Sequence, residues 1–328
     1  RGCGRSPAPW CSISVAVSRL RGQGRAGGAR RRVCREQRPA RQSATLAGVA
    51  QPEESPAGVS PAPVIAVASG KGGVGKSTVA VNLALALRAA GHRTGLADAD
   101  LYGPDIPGML GLRRKAEAKH VNLFTARGAG ASRLEVVERY GLHLASAAFL
   151  VGESQGLGMH AALAQMLVRR LISDGAWPEL DYLVVDLPPG TADIQQFVFG
   201  LGSRPVFVLI VVTPQLIAHQ DVRRLIADLE RRAAVSVGAV ENMSGQVCPA
   251  CGEVTELFPA APPEQSIWGL SEKLVSVPFS AVAARDADRG LPVMVTGAVP
   301  EQVTAYELLA REVHQRISGQ AGDAREPA

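Results

Sequence analysis

The chain has 328 residues, 46% of them hydrophobic, which is ample for one large buried core or two small ones. The longest uncharged apolar run, Pro205 to Val212, has strand length, so a membrane span is excluded. The formal charge of +5 is concentrated before position 42, where Arg19, Arg21, Arg25, Arg30, Arg31, Arg32, Arg35, Arg38 and Arg41 face a single acid, Glu36; the remainder is near neutral or acidic, and no nucleic-acid partner is expected.

That opening stretch is rich in Ala, Gly and Ser and has no apolar stripe, so it cannot bury enough surface to fold alone. Residues 1–63 are expected to form a disordered basic arm and linker. Three readings of residues 1–42 stand side by side: a transit peptide for an organelle, a disordered basic tail, and sequence foreign to the native protein. Cys3, Cys11 and Cys34 fall in the arm, which leaves Cys248 and Cys251 in the globular part. That distribution is unlike a secreted disulfide framework and indicates a reducing compartment.

Order is expected from Val64. Val64 to Ala68 is a strand-length apolar run entering a Gly-rich loop, and Ser77 to Ala90 has helical composition and stops at Gly91. Thr94 to Ala97 reads as a strand ending on acid, Met159 to Ile172 as a helix, and Tyr182 to Val185 as a strand ending in Asp186. Val206 to Val212 is a strand, Asp221 to Arg232 a helix and Val235 to Val240 a strand. Glu301 to Ile317 puts Val303, Tyr306, Leu309, Val313 and Ile317 on one stripe, as a helix docked on a core does. The alternation predicts an α/β fold: a single P-loop NTPase domain over residues 64–318, with a mostly parallel sheet, helices on both faces and a disordered tail at 319–328. Ligands of such sheets bind beyond the carboxyl ends of the strands.

Gly70-Lys71-Gly72-Gly73-Val74-Gly75-Lys76-Ser77-Thr78 contains G-x-x-x-x-G-K-[ST] between a predicted strand and a predicted helix. The glycines let backbone N–H groups turn inward around phosphates, Lys76 neutralises their charge, and Ser77 offers a hydroxyl to Mg²⁺ at a helix start whose dipole favours anions. Asp186, ending Leu183-Val184-Val185-Asp186 before Leu187-Pro188-Pro189-Gly190-Thr191, has the form of a second Mg²⁺-holding acid followed by a rigid switch loop. Asp98 and Asp100 are the other carboxylates expected near the γ-phosphate, the alternative being a solvated turn. His92, His120, His143, His160 and His219 share no spacing and are read as surface or core residues.

Cys248-Pro249-Ala250-Cys251-Gly252 lets two thiolates face one metal centre. A four-coordinate site needs two more ligands, and a two-fold dimer supplies them by placing each pair opposite its copy. An iron-sulfur cluster, a zinc ion and a redox pair all fit this spacing.

Taken in order, Gly70 to Thr78, Asp98-Ala99-Asp100-Leu101-Tyr102-Gly103-Pro104, Val185 to Thr191, Glu241-Asn242-Met243-Ser244 and Cys248-Pro249-Ala250-Cys251 resemble the Mrp/NUBPL family. These are iron-sulfur cluster carrier ATPases within the larger group that includes MinD and ParA. The resemblance covers Val64 to Ile317 and implies an ATP-hydrolysing carrier or scaffold that assembles or transfers a [4Fe-4S] cluster to apoproteins, with ATP, Mg²⁺ and the cluster as its small partners. By that likeness Lys71 reaches across a homodimer to the partner's nucleotide, Asp100 positions the attacking water beside Lys76, Asn242 contacts adenine, and Cys248 and Cys251 hold the shared cluster. Gly156-Leu157-Gly158-Met159 replaces the family's Trp-Arg-Gly element, and Pro259-Ala260-Ala261-Pro262-Pro263 replaces its Gly-rich segment. The alternative function is a positioning ATPase of the MinD/ParA kind with a structural zinc or redox Cys pair. A cytoplasmic location is expected; the mitochondrial matrix or a plastid follows if residues 1–42 are a transit peptide.

Overall fold

The apolar run after the linker folds as β1 (Val64–Ala68), every residue of it buried, in a computed structural model that describes residues 62–112, 136–149, 161–174, 177–190, 193–202, 204–232, 234–248 and 253–323. The basic arm and its cysteines, His120, the Gly156 to His160 stretch, Thr191, Cys251 and residues 324–328 lie outside the described residues. β1 leads through the glycine loop into α1 (Lys76–Ala89). That helix stops where Gly91, at φ 97°, turns the chain back and the His92 N–H returns to the Leu87 carbonyl at 3.1 Å, a left-handed cap that glycine adopts without steric cost.

β2 (Thr94–Asp98), α2 (Ile106–Met109), β3 (Val137–Arg139), β4 (Leu142–Ser146) and α3 (Ala161–Arg169) follow. α3 ends in a π-helical turn at Arg170–Asp174, so the predicted helix to Ile172 changes hydrogen-bond pattern before it ends. Next come β5 (Tyr182–Asp186), α4 (Asp193–Phe199), β6 (Val206–Val212) and α5 (Leu216–Arg231). α5 begins five residues before the predicted start at Asp221. The Gln215 carbonyl accepts the Ala218 and His219 N–H groups at 3.0 and 3.3 Å, and the buried stripe already opens at Ala218 and His219.

The C-terminal part holds β7 (Val235–Val247), β8 (Val254–Thr255), β9 (Lys273–Phe279), α6 (Ala281–Ala287), α7 (Val293–Thr296) and α8 (Pro300–Asp323). β7 runs seven residues past the predicted end at Val240, because its polar half is held by parallel pairing with β9 and antiparallel pairing with β8. The register slips between Asn242 and Gln246, where Met243 takes a left-handed φ of 56°, so the strand kinks rather than ends. α8 buries Tyr306, Leu309, Val313 and Ile317 of the predicted stripe and continues to Asp323. It therefore extends beyond residue 318, where the sequence placed the start of a disordered tail; no proline interrupts Ser318 to Asp323, so the helical hydrogen bonds carry on.

The strands form one sheet in the order β3-β4-β2-β5-β1-β6-β7-β8, with β9 also paired to β7. Every pairing from β4 through β7 to β9 is parallel; only β3 and β8 run antiparallel. Alternation along β1 sends Ile65 and Val67 into a core shared with α1, α2, α7 and α8, and Val64, Ala66 and Ala68 into one shared with α3, α4 and α5. Both faces are thus covered, which is why the central strands read as continuous apolar runs. No helix among the described residues is long and apolar enough to cross a membrane.

Candidate functional site

At the carboxyl end of β1 the chain must turn sharply into α1, and glycine makes the route available. Gly70 lies so close to α5 that a Cβ there would fall 2.6 Å from the Asp221 carbonyl carbon. Gly73 and Gly75 adopt φ of 79° and 82°. Gly75 is the N-cap of α1, with no side chain capping the helix and no acid in its first turn. The first-turn N–H groups therefore face the loop, an arrangement suited to a phosphate chain.

Parallel neighbours of β1 deliver the acids. β5 ends in Asp186 and β2 in Asp98, which are opposite each other in register. Lys76, the first residue of α1, sets its Nζ 2.6 Å from Asp186 Oδ1 and 3.9 Å from Asp100 Oδ2. Ser77 Oγ donates to Asp186 Oδ2 at 2.6 Å. Asp100 Oδ1 accepts the Tyr102 and Gly103 N–H groups. Asp98 accepts from Ser146 Oγ at 2.8 Å and from the Asp100 N–H. The structure thus brings Lys76, Ser77, Asp98, Asp100 and Asp186 together.

Three carboxylates around one ammonium are too many charges for a dry site. Burial pushes all three above the usual aspartate range. For Asp98, well above it, the nearby Asp186 adds to the effect and the Ser146 hydroxyl opposes it. For Asp100 and Asp186, Lys76 opposes the rise. A group whose folded pKa is raised costs the folded state free energy at pH above that pKa; the cost falls as pH drops through it and vanishes below the unfolded value. Asp98→Asn removes the cost, and Ser146 Oγ, which already accepts the Ala148 N–H at 3.0 Å, has a second lone pair for the new amide. In nucleotide-free protein the variant is expected to melt about 2–4 °C above wild type at pH 8. The gap should narrow as pH falls and close near the ordinary aspartate value of 3.8; equal melting at pH 8 would refute this.

The oxygen set of Ser77 and Asp186 fits a hard divalent cation. Asn242, on β7, donates from Nδ2 to the Val74 carbonyl at 2.8 Å, so the glycine loop is tied to the strand two places away in the sheet. Lys71 donates to Gln215 Oε1 at 2.9 Å, and Thr78 accepts from Asn82 through its carbonyl. Cys248 is half-buried just past the end of β7, where its N–H donates to the Glu253 carbonyl at 2.9 Å in the β7–β8 hairpin.

Three residues of the site went unread in the sequence. Ser146 holds Asp98. Gln195 is fully buried and donates to the Pro188 carbonyl at 2.7 Å and to the Ser69 carbonyl at 3.4 Å, joining the switch loop to the glycine loop. Gln215 receives Lys71. Two of the described histidines sit together: His92 stacks on His314, which shares a hydrogen bond with Tyr182. Buried His219 accepts the Ile267 N–H. Among the described residues no group of three or more His, Cys, Asp and Glu side chains forms a metal site.

The mouse iron-sulfur cluster transfer protein NUBPL is 39% identical over 259 residues, 77% of this chain and 77% of its own length. The iron-sulfur cluster carrier protein of Haemophilus influenzae is 37% identical over 77% of this chain, which spans 66% of that protein's length. Among solved structures, a nucleotide-binding protein from Archaeoglobus fulgidus in complex with ADP is 33% identical, with a TM-score of 0.54 over 69% of this chain and 86% of its own. The septum site-determining protein MinD of Pyrococcus horikoshii shares the fold at 19% identity, with a TM-score of 0.57 over 77% of this chain and 96% of its own. Residues 61–314 match the family model described as ParA: NUBPL iron-transfer P-loop NTPase, and the chain belongs to that family.

Proposed function

We propose that this protein is an ATP-hydrolysing carrier that assembles a [4Fe-4S] cluster, or passes one to apoproteins, as a homodimer. Residues 64–323 form its ATPase domain and the cytoplasm is its compartment. The observation that carries the reading is the continuity of β7. Its middle, at Asn242, touches the glycine loop, and its far end leads directly into Cys248, at most about 20 Å away for six residues of extended chain. One chain segment thus runs from the phosphate-binding turn to the proposed sulfur ligand, which supports a coupling between the two.

In this reading Lys76 and the first-turn N–H groups of α1 bind the triphosphate. Ser77 and Asp186 would hold Mg²⁺, which supplies charge neutralisation when bound. Asp100, fixed by two backbone N–H groups, orients the attacking water, and Asp98 supports it. Asn242 contacts adenine, and Lys71 acts on the partner's nucleotide. Cys248 and Cys251 of both subunits hold the cargo.

Anaerobic loading with iron and sulfide tests the cargo. The expected result is one cluster per two chains by iron and sulfide analysis, with matching absorption and EPR spectra. The double variant Cys248→Ala, Cys251→Ala should load no cluster while still hydrolysing ATP. Zinc retained in place of the cluster, or a loaded double variant, would reject the reading.

A further inference from the structure

Lys71 is a lysine with an assigned task in another subunit, yet it has a partner in its own. Its Nζ lies 2.9 Å from Gln215 Oε1. Among the described residues no carboxylate pairs with it. An amide oxygen holds an ammonium by one charge-assisted hydrogen bond without cancelling its charge, so the contact can yield to a phosphate. The attachment is also anchored in the fold. Gln215 is the residue before α5, and its own carbonyl accepts the first N–H groups of that helix. Gly70, the neighbour of Lys71, is pressed against Asp221 and Val222 one turn and a half further along α5. The entry to the glycine loop and the lysine side chain are therefore both seated on the same helix.

We propose that Gln215 is a positioning residue that keeps Lys71 within its own subunit until the triphosphate of a second subunit draws it away, which makes this contact a releasable brake on dimer formation. The inference rests on the reading that Lys71 acts across a dimer. Weakening the brake should promote association, and converting it to an ion pair should oppose association. Gln215→Leu removes the acceptor and leaves the backbone carbonyl that caps α5. Gln215→Glu keeps the size and adds the charge.

The test measures ATP turnover per chain, with saturating Mg²⁺ and ATP, across protein concentrations spanning the half-maximal value. Gln215→Leu is expected to lower that concentration and Gln215→Glu to raise it, each by about three- to tenfold, the discounted worth of one partly exposed charge-assisted hydrogen bond. ADP affinity at high dilution should stay within about twofold of wild type, since Lys71 acts on the partner's nucleotide in this reading and both changes leave Lys76 and the first-turn N–H groups of α1 in place. The Glu variant alone decides the matter if the Leu variant folds poorly. Wild-type turnover that depends on concentration, with variants that match it, overturns the brake and leaves the dimer standing. Wild-type turnover per chain independent of concentration overturns the dimer reading and the brake with it.

Discussion

Lys76→Ala is expected to lower ATP turnover by about a thousandfold or more, because one preorganised cation facing the transferring phosphoryl group supplies that much transition-state stabilisation. The same change should destabilise the nucleotide-free domain by about 3–5 kcal/mol, the usual cost of removing one partner of a buried ion pair. Lys76 and Asp186 are 6% and 1% exposed and in contact at 2.6 Å. Lys76 is also the main influence restraining the pKa of both Asp100 and Asp186. Without it those carboxyls hold their protons to still higher pH. The stability deficit should therefore be largest at high pH, shrink as pH falls through the raised values, and disappear below the unfolded aspartate range. Denaturant titration at several pH values, alongside a turnover assay, checks both parts. Wild-type turnover, or a deficit that grows on acidification, would contradict the assignment of Lys76.

Gly75→Ala should come next in severity, and Gly73→Ala isolates the reason. Both glycines have positive φ, so each alanine carries about 1–2 kcal/mol of left-handed strain. A Cβ at Gly73 meets nothing within 4 Å, whereas one at Gly75 falls 2.2 Å from Asn242 Nδ2. The Asn242 amide would have to leave the Val74 carbonyl, and an orphaned buried carbonyl adds about 1–3 kcal/mol. Gly75→Ala is thus expected to lose about 2–5 kcal/mol of stability and, if Asn242 is the adenine contact, about a hundredfold in ATP affinity. Gly73→Ala should show only the smaller loss of stability. Equal effects from the two alanines would mean that Asn242 is not displaced. The Gly75→Ala variant combined with Asn242→Ala should be close in stability to Gly75→Ala alone, because the Val74 carbonyl has then already lost its donor.

Much of the site was legible because its chemistry is local. The glycine loop lies on nine consecutive residues, and Asp98, Asp100 and Asp186 each end or follow an apolar strand, so spacing alone placed them at the same end of a parallel sheet. β1 and β6 were readable to the residue because strands buried on both faces are apolar throughout. β9 escaped because it alternates exposed and buried positions and contains Pro278, which reads as a break. The outer half of β7 escaped because Glu241, Asn242 and Ser244 have weak strand preference, and tertiary pairing overrode it. Lys71 with Gln215 and Asn242 with Val74 are separated by 144 and 168 residues. No periodicity encodes such contacts; they arise only when β6 and β7 stack beside β1.

The margins of the sheet limit how two molecules can meet. On one side β3 is three residues long and presents Glu138 and Arg139 outward. On the other, β9 starts at Lys273, contains Pro278, whose nitrogen has no hydrogen to donate, and packs against α8. Charge, brevity and proline each discourage strand-to-strand joining, so β3 and β9 are poor seeds for lateral growth into a continuous ribbon.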